Sequence, residues 1–370
     1  MIDSSRAISG PESPIPNVSA AEAASDHPID LFLRACAEGS LVEARQLFAS
    51  HTEIGRHPKS SYVFAITCSR GHLDVAQWLA GTEHFGRCVG DNYAFYSACL
   101  RGHLSVAKWL WSMSPIRDLV VLDQVFWRTC ARGHLPVVQW LWWSIPQFGR
   151  AEISEKGFLW ACDQGRLEVA QWLWLAEGMF DLHVNECYLF RTACHTGHLE
   201  VAQWLWSLDS TINLRAKDNY TLIAACQNGH LAVVQWLRSL TPKIDFHLDQ
   251  DRPFRTACRH QHLELAQWIW SLPGQTNLRA NQDQAFRYAS TPAMIEFLIQ
   301  CSRDHPNVRY VLSQNRCYIV EKDRSAPVYR VCDHHAGIVC RTTPLRSGQV
   351  WSIAWGRGKP SCDRIVTPDS

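Results

Sequence analysis

The chain has 370 residues, of which 46% are hydrophobic, and its formal net charge is +1. This composition supplies enough apolar side chains for a continuous core. The balanced charge excludes a uniformly basic surface of the kind that binds nucleic acid or acidic membranes. No signal-peptide core follows the first methionine, and the apolar stretches, such as Val137–Trp143, are too short to span a bilayer. We therefore expect no membrane association.

The first segment, 1–28, is rich in serine, proline and alanine, which predicts disorder. From residue 29 to about residue 300 the chain is a repeat array. Eight cysteines mark its register at intervals of 31 or 32 residues: Cys36, Cys68, Cys99, Cys130, Cys162, Cys194, Cys226 and Cys258. A fixed period of this length indicates stacked helical repeats rather than one globular core.

Each repeat predicts two helices. In the first helix a phenylalanine stands four residues before the cysteine in nearly every copy, so that phenylalanine, alanine and cysteine share one face. A glycine three residues after the cysteine suits a left-handed helix end, and Gln261 takes its place in the eighth copy. The second helix, Leu199–Leu208 in one copy, is apolar over more than half of its circumference, which predicts burial against several neighbours.

The unit is similar to a known family. Ala225–Cys226 stand where ankyrin repeats carry paired alanines, Gly229–Leu231 match their Gly-His-Leu turn, and Val233–Leu237 match their second helix. The repeat therefore resembles the ankyrin repeat, in particular the divergent, tryptophan-rich arrays of protists and large DNA viruses. The resemblance implies a mainly α fold, an ankyrin-like α-solenoid of about nine helix-turn-helix repeats. Because the family's Thr-Pro start and hairpin glycines are largely missing, we expect short or degenerate hairpin loops.

The repeated cysteines and histidines are interpreted as packing residues. Equivalent positions on packed helices lie about 8–10 Å apart, whereas a disulfide needs Cα atoms within about 4.4–6.8 Å. Reduced, buried thiols are typical of the cytoplasm or nucleus, of a host cell if the array is viral. One cysteine and one Gly-His histidine per repeat do not supply the four converging ligands of a structural zinc site. We therefore expect no enzyme activity, cofactor or metal in the array, and a hydrogen-bonding role for the histidines at the turn.

Two tryptophan columns follow in the second helices. The first is expected to be a buried spine: Trp78, Trp109, Trp140, Trp172, Trp204, Trp236 and Trp268. The second also admits Ala80 and Arg238, which favours partial exposure: Trp111, Trp142, Trp174, Trp206 and Trp270.

The resemblance also implies a binding face. In ankyrin arrays the two residues after the paired alanines face a concave groove that holds partners. Carried over to this chain, the predicted partner-binding residues are Arg70, Arg101, Arg132, Gln164, Thr196, Asn228, Arg259 and His260. A second arginine column, three residues before the cysteine, adds Arg191 and Arg255. Guanidinium forks suit carboxylate or phosphate groups.

The segment 301–370 lacks the repeat, and its fold is not assigned. Two runs in it favour β-structure, Val328–Cys332 and Gln349–Trp355. Its metal-ligating residue types cluster without a recognised spacing: Cys317, Cys332, His334, His335 and Cys340.

The sequence as a whole favours a non-enzymatic scaffold or adaptor. We expect a monomer that binds an unknown protein partner, one with acidic groups, on the concave face. Two alternatives stay open: binding of nucleic acid or another acidic ligand through the arginine stripe, and a metal-binding C-terminal tail.

Overall fold

The computed structural model shows helix pairs followed by antiparallel strands. It describes residues 27–51, 53–56, 60–86, 92–113, 119–144, 150–178, 180–214, 216–240, 244–274, 276–278, 280–302, 308–313, 316–322, 329–333, 337–342, 350–356 and 359–365. The segment 1–28, predicted to be disordered, lies outside the described residues except for its last two, and Pro28 already begins a helix. The described residues form two units, divided after Asp181.

The N-terminal unit contains five helix pairs. The first helices are α1 (Pro28–Glu38), α3 (Ser60–Arg70), α5 (Asn92–Leu100), α7 (Leu119–Arg132) and α9 (Arg150–Asp163). The second helices are α2 (Leu41–Ser50), α4 (Leu73–Ala80), α6 (Leu104–Met113), α8 (Leu135–Ser144) and α10 (Leu167–Glu177). First helices pack on first helices along the unit, and each second helix packs on its own partner, which gives two layers.

The C-terminal unit contains four helix pairs. The first helices are α11 (Val184–Thr196), α13 (Ala216–Gln227), α15 (Leu248–Arg259) and α17 (Ala280–Tyr288). The second helices are α12 (Leu199–Leu208), α14 (Leu231–Leu240), α16 (Leu263–Trp270) and α18 (Pro292–Cys301). With five pairs in the other unit, the described residues show nine pairs, and the predicted mainly α repeat fold is confirmed.

Short strands follow the last helix. They are β1 (Val308–Ser313), β2 (Arg316–Lys322), β3 (Tyr329–Asp333), β4 (Gly337–Thr342), β5 (Val350–Gly356) and β6 (Lys359–Ile365). The first four form an antiparallel sheet in chain order, and the last two form a hairpin. The register is Tyr310 opposite Ile319 and Val320 opposite Val331, and it shifts after Val331. The two runs with β-preference therefore overlap β3 and β5, whereas the other strands were not predicted.

The core lies along the first helices. All eight cysteines of the register are fully buried, and the phenylalanine column is at most 3% exposed: Phe32, Phe64, Phe95, Phe126, Phe158, Phe190, Phe254 and Phe286. The first tryptophan column, predicted to be buried, is instead half-buried throughout. In α12 the fully buried residues are Val201, Ala202 and Leu205. The second-helix layer has the first helices on one side only, so its indoles keep an accessible edge.

The glycines at the helix ends have a role between repeats as well as within the turn. Gly71 and Gly102 adopt φ of +85° and +82°, as the sequence predicts. A Cβ on Gly71 would lie 2.4 Å from Nδ1 of His103 in the next pair, so the imidazole packs directly on the glycine. Nε2 of His103 lies 2.9 Å from the carbonyl oxygen of Ser69. Because a carbonyl only accepts, this nitrogen carries the proton.

The same contact recurs along the array. Other histidine Nε2 atoms bond a carbonyl of the preceding pair: His72 with Ala37, His134 with Leu100, His230 with His195, and His262 with Gln227. Where Arg166 replaces the histidine, its Nε donates to the carbonyl of Ala131 at 3.1 Å. The histidines thus form the predicted hydrogen bonds, but between successive repeats rather than inside one turn.

Gln261 replaces the glycine where the next pair supplies no histidine. It keeps the left-handed conformation, with φ of +64°. Its Nε2 donates to the carbonyl of Tyr288 at 2.8 Å, and its Oε1 accepts from the backbone N–H groups of Ser290 and Thr291 at 3.1 Å. Since α18 begins at Pro292, this amide satisfies backbone donors that precede the last helix and links the final two pairs.

The linkers between pairs are anchored by buried apolar side chains. These are Ile54, Phe85, Leu182, Ile212, Phe246 and Leu278. No strand occurs in the linker residues that the structure describes, which agrees with the degenerate hairpins expected from the missing glycines. The six linkers that contain these residues are therefore held by core packing, in the parts that the structure describes.

Candidate functional site

Three of the predicted partner-binding arginines line one groove in the N-terminal unit. Arg70 and Arg132 are the last residues of α3 and α7, and Arg101 follows the end of α5 directly. All three are exposed, and they surround a cavity of about 570 Å³. Its other walls are Ser69, Leu100, His103 and His134. We call this cavity the arginine groove.

The charge of the arginine groove comes from its arginines. Burial lowers the pKa of His103 and of His134; nearby charges, including Arg101 for His103 and Arg132 for His134, act in the same direction. Both imidazoles are therefore neutral at pH 7 and donate to backbone carbonyls. Among the described residues, no acidic side chain lies within ion-pair distance of Arg70, Arg101 or Arg132.

The pKa shifts predict a loss of stability on acidification. Burial lowers the pKa of four histidines in the folded state from 6.5: His103, His134, His230 and His260. The unfolded chain therefore binds more protons as the pH falls through about 6.5, so stability is present above this pH and is lost below it. His247 acts in the opposite direction, because its hydrogen bond to Asp251 raises its pKa. We expect a lower urea midpoint at about pH 5.5 than at about pH 7.5, with the four histidines outweighing the one.

A matched variant separates this effect from general acid denaturation. In His103→Gln the amide can still donate to the Ser69 carbonyl but does not titrate. The pH-dependent fall of its urea midpoint should be smaller than that of the parent chain. An identical fall in both proteins would contradict the assignment to the histidines.

Acidic or polar residues flank the arginine groove at both ends. In the repeat before Arg70 the equivalent position is the exposed Glu38, and in the repeat after Arg132 it is the exposed Gln164. The Nε2 of Gln164 donates to Oδ2 of Asp163 at 2.8 Å, so a carboxylate stands beside it. The arginine groove therefore presents three cations between acidic neighbours at either end.

The C-terminal unit has a second polar groove. Arg259 and His260 are exposed and line a cavity of about 410 Å³ together with Arg252 and Gln284. The Arg259 guanidinium lies 4.8 Å from the ring centre of Tyr288. Arg252, which was not predicted, could have been found from helical spacing, because it precedes Arg259 by seven residues on the same face of α15.

Two other predicted residues in this unit are committed to local bonds. The Thr196 hydroxyl donates to the carbonyl of Thr192 at 2.8 Å, within its own helix. The Asn228 amide is exposed and donates to the carbonyl of His195 in the preceding pair at 2.7 Å. Asn228 therefore joins two repeats at the surface.

The structure buries most of Arg191 and Arg255, although Arg255 lines part of the second polar groove. They are only 5% and 6% exposed. Arg191 donates to the carbonyls of Glu186 and Asn185 at 2.9 Å, and Arg255 donates to those of Gln250 and Asp249 at 2.7 Å and to the Gln284 side chain. Their expected binding role is therefore corrected to a structural one.

The carbonyls that these arginines satisfy belong to unusual turns. Residues 185–187 in α11 and 249–251 in α15 each have three successive left-handed conformations without a glycine, with φ between 47° and 61°. Such residues are disfavoured by about 1–2 kcal/mol each. The buried guanidinium bonds two carbonyls of the turn and so compensates part of this cost.

Burial keeps the eight cysteines of the register, Cys36 to Cys258, in the thiol form. Burial raises the pKa of Cys36 and Cys68 to about 12. It also raises the pKa of the other six: Cys99, Cys130, Cys162, Cys194, Cys226 and Cys258. A thiol must ionise to act as nucleophile or metal ligand. The described residues contain no group of three or more His, Cys, Asp or Glu side chains that could hold a metal ion. In the tail, Cys317, Cys332 and Cys340 lie on β2, β3 and β4, while His334 and His335 lie outside the described residues.

None of the helices described is both long and apolar enough to cross a membrane.

Comparisons with known proteins point to one kind of repeat. Residues 63–110 match a family model described as ankyrin repeats (many copies), and residues 158–249 match one described as ankyrin repeats (3 copies). The solved human ASB11 ankyrin repeat domain aligns with 74% of this chain and 98% of its own length, at 16% identity and a TM-score of 0.33. No curated protein matches the chain. Ankyrin repeats are in general protein-interaction modules and typically lack enzyme activity.

Proposed function

Because the chain carries ankyrin repeats, as the sequence predicted, we propose that it is a non-enzymatic adaptor that binds an acidic protein partner in the arginine groove. The observation that supports this proposal is the set of three exposed arginines in one cavity, with no acidic side chain of the described residues in ion-pair distance. Arg70, Arg101 and Arg132 occupy equivalent positions in successive repeats. In the other repeats the residue at this position varies, whereas the core positions keep Cys throughout and Phe in nearly every repeat.

The mechanism is recognition by a rigid surface. The bonds from His103 to the Ser69 carbonyl and from His134 to the Leu100 carbonyl hold successive repeats in register. Partner carboxylates accept paired hydrogen bonds from each guanidinium. Each exposed pair contributes only about 0.2–1 kcal/mol, so binding requires several pairs at once.

The second polar groove is a separate contact surface in this proposal. Arg259 supplies an exposed cation there beside the exposed His260, and the exposed Asn228 lies one repeat before them. A partner long enough to reach this surface gains further hydrogen bonds there.

The test is charge reversal of the arginine groove. In Arg70→Glu with Arg101→Glu and Arg132→Glu, three attractions become repulsions, and we expect the affinity for the acidic partner captured from host extract to fall by at least about tenfold. Helix content by circular dichroism should be unchanged, because the three residues are exposed. The control is Lys108→Glu, which makes the same charge change on an exposed position of α6.

Unchanged capture by the triple variant would contradict this placement of the site. Capture of nucleic acid instead, with an affinity that falls steeply with salt, would support the nucleic-acid alternative. Loss of capture in Lys108→Glu as well would indicate a general charge effect rather than a groove.

A further inference from the structure

We propose that the occupant of the arginine groove is an extended segment in the polyproline II conformation, with a carboxylate at every third residue. This inference rests on the proposed function of the groove. It follows from the repeat of the arginines themselves, one at the C-terminal end of each of three successive first helices.

The spacing of the arginines is set by helix packing. The first helices α3, α5 and α7 pack side by side, and the His103 and His134 bonds fix their ends at the same level. Packed helices lie about 8–10 Å apart. Equivalent guanidinium groups along the arginine groove are therefore separated by about the same distance in their average positions.

The polyproline II conformation places side chains on one face of the chain at this interval and keeps the chain narrow. Polyproline II rises about 3.1 Å per residue with three residues per turn, so every third side chain points the same way after about 9.3 Å. A β-strand presents alternate side chains, which gives same-face intervals of about 6.6 Å or 13 Å. Neither interval of the strand fits the arginines.

An α-helix fits this interval less well. Residues seven apart on one helix face are separated by about 10.5 Å, which is longer than the roughly 8–10 Å between packed helices. A helix with its side chains is also about 10–12 Å across. The arginine groove is therefore better suited to an extended chain.

The acidic groups at the two ends of the arginine groove limit the segment to three carboxylates. A fourth acidic residue would meet Glu38 at one end or the carboxylate of Asp163, beside Gln164, at the other. The recognised pattern is thus acidic-x-x-acidic-x-x-acidic, seven residues long. Proline at the intervening positions would favour binding, because it pre-forms the conformation and lowers the entropy lost.

The experiment uses fluorescence anisotropy on the full chain with two labelled peptides of identical composition. One peptide is Glu-Pro-Ala repeated three times, and the other carries its three glutamates consecutively, followed by the same prolines and alanines. We expect the periodic peptide to bind at least about fivefold more tightly, since it can form three exposed ion pairs at once. In a second step, the periodic peptide with lysine at its middle glutamate should bind Arg101→Glu more tightly than it binds Arg70→Glu.

The outcomes separate this inference from the proposed function. Equal affinity for both peptides, lost in the triple charge reversal, would overturn the three-residue period and leave the groove as an acidic-partner site. Equal rescue of Arg101→Glu and Arg70→Glu by the lysine peptide would overturn the fixed register. Failure of both peptides to bind would overturn the inference, and partner capture by the triple variant would then decide separately on the proposed function.

Discussion

Replacing Trp142 with alanine is expected to lower the free energy of unfolding by about 3–5 kcal/mol, the usual cost of truncating a large buried aromatic residue. Trp142 is 2% exposed. Its ring lies 5.6 Å from that of Phe126 and meets Trp172 edge-on at 6.2 Å, measured between ring centres. Alanine would leave a cavity among these aromatic rings, because neighbouring side chains in a packed core collapse only partly.

The next residue is a matched control. Trp143 has the same side chain in the same helix, but it is 68% exposed. Trp143→Ala should change the free energy of unfolding by less than about 0.5 kcal/mol. Urea denaturation followed by circular dichroism measures both variants, and equal losses would contradict the assigned burial.

Replacing Gly71 with alanine is expected to destabilise the protein by about 2–4 kcal/mol, combining backbone strain with loss of a hydrogen bond. Gly71 has φ of +85°, a conformation that alanine adopts poorly, and the new Cβ would lie 2.4 Å from the His103 ring. The imidazole must then move and leave the half-buried Ser69 carbonyl without its donor.

Two further variants divide this cost into its parts. Gly178 has φ of +69°, but a Cβ there would meet nothing closer than 3.9 Å, so Gly178→Ala should cost only the backbone strain of about 1–2 kcal/mol. In a His103→Ala background, Gly71→Ala should also cost only this amount, because the clash is gone. A double-mutant cycle with a coupling energy near zero would contradict the packing of His103 on Gly71.

The arrangement of the helices was predictable because an array repeats its contacts. Each repeat meets only its neighbours, so a residue type that recurs in the sequence recurs at one place in the structure. The buried Phe and Cys positions and the left-handed glycines follow directly from this property. The exposed groove residues Arg70, Arg101 and Arg132 were likewise found by counting from the cysteines, although their binding role stays a prediction.

The burial of the second arginine column could not be predicted by counting from the cysteines. Arg191 and Arg255 stand at the same repeat position, with Ile223 in the repeat between them. Arg191 is buried because a left-handed turn directs backbone carbonyls toward it. No glycine marks that turn, and three successive left-handed residues of other types are disfavoured. The sequence therefore offers no local signal that this arginine is needed inside.

Trp142 and Trp143 show the same division at the level of two neighbouring residues. The repeat register places Trp142 in the second tryptophan column and Trp143 one residue beyond it, but that column is expected to be partly exposed, so the full burial of Trp142 is not predicted. Burial depends on the rings of Phe126 and Trp172, which come from a different helix and a different repeat.

The sequence by itself determined the repeat length, the pair of helices and the phenylalanine and cysteine positions of the core, because these depend on periodicity and on contacts within one unit. Only the tertiary structure decided which polar side chains remain available to a partner. Availability depends on whether backbone groups already use the side chain. Those of the preceding repeat use His103 and those of its own turn use Arg255, whereas Arg101 is exposed. Such demands arise from the backbone path of turns and stacked repeats, which the residue pattern of one repeat does not display.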